Sequence, residues 1–233
     1  MKRIVLVTLM IGAGFSFLTA QQDEVDASQI GRDTAQQSLQ EISISKFEDS
    51  GFWRVYMPLD QGVIQGRRFE GSPAEKEPLE EEEAIGIATP DVHVLGVKAS
   101  FFRRDNSEIY VQPIRPLQVP GITKTISVWV VGRNFNHDLY VIVGDYFGNV
   151  NTLRMGTMNH SGWRQMVAAV PPTLVQSDPN YSDRRGLQIM GFMIKPALLE
   201  TYGTYYVYFD DLRALTDLFP EESRDEDDML DAW

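Results

Sequence analysis

Residues 125–149, TISVWVVGRNFNHDLYVIVGDYFGN, contain two apolar segments separated by a polar loop. Every second position of each segment is aliphatic, which is the period of a β-strand. These positions are Ile126, Val128 and Val130, followed by Leu139, Val141 and Val143. The other faces of the two strands are also largely apolar and carry Trp129, Val131, Tyr140 and Ile142. We therefore expect both strands to be covered on two sides, by a second sheet and by another part of the chain.

Similar segments lie on both sides of this stretch. They are rich in β-branched and aromatic residues, and the connections between them contain Gly, Asn, Asp or Pro. The predicted strands are residues 42–48, 53–57, 92–102, 108–114, 123–131, 138–144, 150–155, 163–170, 187–194 and 204–214. No helical period separates these strands, so the pattern predicts an all-β fold, an antiparallel jelly-roll-like β-sandwich, rather than βαβ units.

The two ends of the chain differ in composition from this middle part. Lys2 and Arg3 precede the apolar residues 4–17, and Leu18, Thr19 and Ala20 then lead into a polar stretch. This order is typical of a signal peptide, and the apolar stretch is shorter than the roughly 20 residues that span a bilayer. The predicted organisation is a signal peptide at 1–20, a polar extension at 21–41, a β-sandwich domain at 42–219 and an acidic tail at 220–233.

Acidic residues are concentrated in two short runs. The 233-residue chain has a formal net charge of −12, and residues 75–83 and 221–233 contribute −5 and −6. We expect residues 71–88, which include the first run, to form an exposed loop. The rest of the chain has no cluster of Lys and Arg, so no nucleic-acid partner is expected. The sequence contains no cysteine, which excludes disulfides and thiol catalysis.

Asp210 and Asp211 are the first candidates for chemistry. Successive side chains of a regular strand point to opposite faces, so a catalytic dyad is not expected. The apolar positions are odd-numbered up to Phe209 and even-numbered from Leu212, and this change predicts a β-bulge at the two aspartates. A calcium site remains an alternative, because calcium accepts carboxylates at irregular spacing.

No other short motif predicts catalysis, a cofactor or a metal. Residues 143–150, VGDYFGNV, lack the Lys-Ser/Thr pair and the following helix of a phosphate-binding loop, so they are predicted to form a hairpin turn. Its aromatic residues, Tyr146 and Phe147, are candidate partner contacts. His160 and Ser161 are adjacent and point apart on an extended chain, which disfavours a serine hydrolase. The three histidines show no zinc spacing. We therefore expect neither enzymatic activity nor a cofactor.

Three segments together resemble a known protein family. They are residues 94–149, VLGVKASFFRRDNSEIYVQPIRPLQVPGITKTISVWVVGRNFNHDLYVIVGDYFGN, residues 158–172, MNHSGWRQMVAAVPP, and residues 205–217, YYVYFDDLRALTD. The ordered string PGITKTISVWVVGRN, DYFG and SGW is the most specific part. The chain resembles the flagellar filament outer layer proteins of spirochaetes, the FlaA family, over about residues 42–217.

The resemblance implies a structural, non-enzymatic role. The chain is then expected in the periplasm, without a membrane span, in the sheath of the periplasmic flagellum. The implied partners are flagellin core subunits and other sheath proteins, with Tyr146, Phe147 and Trp233 as candidate contacts. The sandwich is also similar in outline to carbohydrate-binding jelly rolls, so an exported carbohydrate-binding module is the alternative. A module of that kind is expected to expose a planar set from its tryptophans, Trp53, Trp129 and Trp163.

Overall fold

The computed structural model describes residues 39–49, 51–79, 91–105, 107–177 and 186–218. This part of the chain consists of strands and one short 3-10 helix, Leu198–Glu200. The strands are β1 Leu39–Ser45, β2 Trp53–Tyr56, β3 Gly62–Glu70, β4 His93–Phe101, β5 Ile109–Pro113, β6 Leu117–Val119, β7 Ile122–Val131, β8 Asp138–Gly144, β9 Val150–Thr157, β10 Trp163–Ala169, β11 Leu187–Lys195 and β12 Gly203–Asp217. Among the described residues, no helical segment has the length and hydropathy of a membrane span.

The strands form two antiparallel sheets, which confirms the predicted β-sandwich. The first sheet has the order β10-β7-β12-β4-β3, and the second has the order β2-β5-β11-β8-β9. Strand β12 is central to the first sheet, because it pairs with three other strands. Along one edge, its first half pairs with β4 and its second half with β1, and its other edge pairs with β7. Strand β6 pairs with β11 in the second sheet.

Aromatic side chains join the two sheets at the centre of the core. Trp53 of β2 and Phe192 of β11 come from the second sheet, whereas Phe209 belongs to β12 of the first. The rings of Phe192 and Phe209 are 5.3 Å apart, and Phe47 stacks on Trp53 at 4.7 Å. Burying each of these side chains contributes roughly 1.5–3 kcal/mol to the free energy of unfolding, so the cluster stabilises the contact between the sheets.

The two strands of residues 125–149 belong to different sheets. Strand β7 lies in the first sheet and β8 in the second, so the loop between them crosses the sandwich. On the outer face of β7, Trp129 is only 9% exposed. It lies beside Asp210 in the ladder, and Lys76 contacts Asp210 from residues 71–79. The segment 71–79 therefore contacts the outer face of β12 at the residue paired with Trp129.

The segment 71–79 differs in one respect from the exposed loop predicted for residues 71–88. Pro73 and Leu79 are buried, and the side chain of Lys76 is 9% exposed. The intervening residues 74, 75, 77 and 78 are exposed, so only every third residue faces the sheet. Spacing of this kind without strand or helix has no simple signature in a sequence. Residues 80–88 lie outside the described part of the chain.

Two strands were not predicted, β3 and β6. Strand β3 is an edge strand in which most side chains are exposed, so it lacks the alternation of a half-buried strand. Its Gly62 sits where a Cβ atom would lie 2.4 Å from the backbone oxygen of Ser100. Strand β6 has three residues. The first strand covers Leu39–Ser45 instead of 42–48, because Phe47 adopts a left-handed backbone with φ of 57° and ends the extended run.

Candidate partner-binding surfaces

The turn between β8 and β9 is held by the side chain of Asp145. Its carboxylate accepts hydrogen bonds from the backbone N–H of Asn149 at 2.7 Å and from the Asn149 Nδ2 at 2.8 Å. The backbone N–H of Gly148 donates to the carbonyl of Asp145 at 3.0 Å, and Gly148 has a φ of 85°. The turn is therefore locked by local hydrogen bonds. This confirms the predicted hairpin connection.

Tyr146 and Phe147 form the tip of this turn. Phe147 is 62% exposed, while Tyr146 is half-buried. Their ring centroids are 5.3 Å apart and the rings are perpendicular. The backbone N–H of Tyr146 donates to the carbonyl of Val175 at 2.8 Å, which brings a second loop to the tip. Val150 and Val175 are also exposed. We call these four residues the apolar tip. The two valines have no sequence signal of a contact surface, because Val150 lies in a predicted strand and Val175 in a predicted loop.

Trp233, the third predicted contact, lies outside the described residues. The structure therefore places two of the three candidate contact residues, and both are at the apolar tip.

Asp210 and Asp211 lie at a bulge in β12, as predicted. Asp210 pairs with Trp129 of β7, but the next paired residues are Arg213 and Ser127. Two residues of β12 therefore stand opposite one residue of β7, and Asp211 absorbs the extra length with a φ of 50°. The Oδ1 of Asp210 accepts a hydrogen bond from the backbone N–H of Asp211 at 2.9 Å. Both side chains are buried.

The two carboxylates contact different cations. The Nζ of Lys76 lies 2.9 Å from Asp210 and 2.5 Å from Asp91. Burial raises the pKa of Asp210 to about 6, and the hydrogen bond from Lys76 offsets only part of that effect. Burial by itself lowers the pKa of Lys76, but its hydrogen bonds to the two carboxylates outweigh this and raise it. One cation is thus shared by two carboxylates.

Arg213 binds the second aspartate and reaches two other segments. Its Nε lies 2.7 Å from the carboxylate of Asp211, an ion pair rather than a well-directed hydrogen bond. The guanidinium also donates to Glu41 of β1 at 3.1 Å and to the backbone carbonyl of Glu77 at 2.5 Å. The bulge therefore connects β12 to β1 and to the segment 71–79 through the buried guanidinium of Arg213.

The described residues do not assemble a metal centre. No group of three or more His, Asp or Glu side chains among them is arranged to hold a metal ion. The calcium alternative also has a competitor at the bulge, because the ammonium group of Lys76 already sits between Asp91 and Asp210.

The histidines take part in structural contacts. His137 is fully buried, and its Nδ1 accepts a hydrogen bond from the backbone N–H of Ala197 at 3.1 Å. Burial lowers the pKa of His137 to about 4, so the ring is neutral near pH 7. The Nε2 of His160 lies 3.1 Å from the carbonyl oxygen of Val130. His93 pairs with the carboxylate of Glu48 at 2.7 Å.

The tryptophans do not form the open platform that the carbohydrate-binding alternative requires. Trp53 and Trp129 are 8% and 9% exposed, and Trp163 is half-buried. Two core residues, Phe47 and Phe192, stack against the ring of Trp53. These faces are not available for stacking on a sugar.

Two tyrosines on the outer face of the second sheet do not form an open platform for a sugar either. Tyr56 of β2 and Tyr110 of β5 are cross-strand neighbours with centroids 5.0 Å apart and planes inclined by 13°. Each ring therefore turns one face towards the other. Their hydroxyl groups donate to Gln112 and Glu108. The pair is satisfied within the chain.

The outer face of the first sheet carries a surface that was not predicted from the sequence. It combines the cations Arg67, Lys98 and Arg133 with the aromatic rings of Phe69, Tyr206 and Tyr208. We call these six residues the basic aromatic face. They come from three strands and a turn that are far apart in the chain. The alternation of Tyr206 and Tyr208 in β12 was the only local signal for it.

Comparisons with known proteins found a matching family model and two similar proteins. A family model described as flagellar filament outer layer protein Flaa, FlaA, matches residues 18–223. The chain is 33% identical over 215 residues to a protein of Brachyspira hyodysenteriae named as a flagellar filament outer layer-like protein, and the alignment covers 92% of this chain and 96% of that protein. It is 28% identical over 113 residues to the flagellar filament outer layer protein of Treponema pallidum, across 42% of this chain and 30% of that protein.

Among solved structures, the chain is similar to the family 11 carbohydrate-binding module of a cellulosomal cellulase of Clostridium thermocellum. The TM-score is 0.42 and the identity 11%, with coverage of 78% of this chain and 98% of that chain.

Proposed function

The chain belongs to the FlaA family of flagellar filament outer layer proteins, and from this membership we propose that it is a structural subunit of the sheath of the periplasmic flagellar filament. In this role it is exported by its signal peptide, packs on the flagellin core beside other sheath proteins, and contributes to the shape and stiffness of the filament. We infer no enzymatic activity. The observation that carries the proposal is a family match over residues 18–223, which includes the whole described sandwich.

Two features of the surface support a packing role. The apolar tip leaves Phe147 62% exposed and Val150 58% exposed, and the basic aromatic face leaves Phe69 45% exposed. When a partner buries exposed apolar area, each Å² contributes roughly 25 cal/mol to the free energy of binding, before the costs of association are subtracted. Repetition along a filament adds many such contacts, so modest interfaces hold a layer in place.

The test is the composition of isolated filaments. Periplasmic flagella are purified from the natural strain and from a strain in which the gene for this chain is deleted. The two preparations are compared by quantitative mass spectrometry and by labelling with an antibody against the sandwich. We expect the chain in the filament fraction, label along the outer surface, and thinner or less curved filaments in the deletion strain. Restoring the gene is the control for secondary effects. A chain recovered in the periplasm but absent from purified filaments contradicts the proposal.

A further inference from the structure

The basic aromatic face is built around the absence of a side chain at Gly96. A Cβ atom there would lie 2.6 Å from the Cε2 of Phe69 and 2.9 Å from the Cε1 of Tyr208, so both rings lie directly over the strand backbone. The two rings meet edge to face at 5.8 Å. The guanidinium of Arg133 lies 5.3 Å from the ring centroid of Tyr208 and 5.6 Å from that of Tyr206. The face is therefore a fixed arrangement of rings and cations.

Cations of this face have no carboxylate partner in the described part of the chain. Arg67, Lys98 and Arg133 are all exposed, and none of them has an Asp or Glu within ion-pair distance there. By contrast, Arg103 pairs with Asp60 at 2.6 Å. In a chain with a net charge of −12, three unpaired cations beside exposed rings form a local basic surface.

We propose that this face binds the acidic segment 221–233 of a neighbouring copy of the chain. That segment has seven carboxylates and one arginine, and it also contains Met229, Leu230 and Trp233. Its carboxylates match the cations of the face, and its apolar residues match the exposed rings. The inference rests on the proposed sheath function only in that a filament brings copies together in a regular array.

The neighbour's segment fits better than the chain's own. Strand β12 runs from Gly203 to Asp217, so the acidic segment begins beyond the end of the strand that is distant from Tyr206. At about 3.3 Å per residue, returning to the level of Tyr206 takes about 36 Å, or about eleven residues. Most of the carboxylates, those of residues 221–228, would then lie along the path back to Tyr206 and not at the face. A copy placed end to end with the first brings them to the face directly.

The test is a charge swap in the chain without its signal peptide, residues 21–233. The face variant carries Lys98→Glu and Arg133→Glu, and the tail variant carries Asp227→Lys and Asp228→Lys. Self-association is measured by sedimentation velocity over a range of concentrations at low and high salt. We expect concentration-dependent association of the natural sequence that weakens with salt. Each variant should raise the dissociation constant at least about tenfold, since like charges then face each other.

Mixing the two variants in equal amounts should restore association, because each then meets an opposite charge on the other. The matched control is Arg54→Glu with Arg115→Glu, which makes the same change in net charge with two exposed cations outside the face. We expect it to associate like the natural sequence. Thermal unfolding of every variant checks that the fold is intact.

Three results overturn the inference. One is a natural sequence that stays monomeric at every concentration. Another is that mixing the two variants does not restore association, whereas combining the four substitutions in one chain does. That result assigns the segment to the face of its own chain. The third is loss of filament incorporation by the face variant without any change in self-association, which assigns the face to a different protein. A chain that is present in filaments but does not self-associate leaves the sheath function standing and removes only this inference.

Discussion

The Nζ of Lys76 donates a hydrogen bond to the Oδ2 of Asp210 across a distance of 2.9 Å, although the two residues are 134 positions apart. Asp210 is fully buried, and Lys76 belongs to the segment 71–79. The pair therefore fastens this segment to the bulge of β12. Because the carboxylate has no access to water, its charge depends on this one cation.

Replacing Lys76 with methionine should destabilise the protein by about 3–5 kcal/mol, because the buried carboxylate of Asp210 loses its cation. The measurement is urea-induced unfolding near pH 7. Arg103→Ala is the control, since it breaks the exposed pair with Asp60 and should cost less than about 1 kcal/mol. Combining Lys76→Met with Asp210→Leu should recover much of the loss. Equal costs for the buried and the exposed pair would show that the buried pair has no special role.

Asp210→Asn should change the pH dependence of stability. The folded carboxyl takes up a proton at a pKa of about 6, above its ordinary value of 3.8. Acidification from pH 6 to 4 therefore favours the folded state through this group, by up to about 3 kcal/mol. The asparagine variant lacks that contribution, so its free energy of unfolding should fall more steeply over this range. Parallel curves for the two proteins would contradict the raised pKa.

Protonation of His137 should change the free energy of unfolding in the opposite direction to protonation of Asp210. Its pKa is about 4 in the folded protein and 6.5 ordinarily, so the unfolded chain takes up the proton first. Acidification from pH 6.5 to 4 therefore destabilises the fold through this group, by about 3 kcal/mol. The check is the titration of the His137 ring by NMR, with His160 as an internal comparison. A midpoint for His137 near 6.5 would rule out the buried neutral ring.

Replacing Tyr146 and Phe147 together with serine should reduce incorporation into the sheath and leave the fold intact, because Phe147 is exposed and the turn is held by Asp145. Incorporation is measured in purified filaments. Leu59→Ser with Leu199→Ser is the matched control, since these leucines are 92% and 74% exposed and lie outside the apolar tip. Deletion of residues 221–233 should also reduce incorporation. Normal incorporation of both altered chains would mean that these are the wrong surfaces.

The mature protein should begin at Gln21, because Ala20 ends the one N-terminal stretch with basic, apolar and small-residue zones in the order of a signal peptide. N-terminal sequencing of the protein from the periplasm measures this directly. Recovery of the chain with Met1 intact in that fraction would contradict export by cleavage.

Local patterns were sufficient for most strands and for the bulge. Strand β8 covers the predicted residues 138–144, because alternation of side chains is a property of neighbouring positions. The change of parity between Phe209 and Leu212 identified the bulge for the same reason, since one inserted residue reverses the faces of everything after it.

Patterns of neighbouring residues were thus enough to predict the sandwich class, the bulge and the turn at Tyr146 and Phe147. Which distant residues contact one another could be read from the folded chain alone. The pairing of Lys76 with Asp210 and the gathering of Arg67, Lys98 and Arg133 around two tyrosines depend on the order of strands in the first sheet. Strand order follows from the packing of the whole core, and that packing is a property of distant residues together rather than of any local stretch.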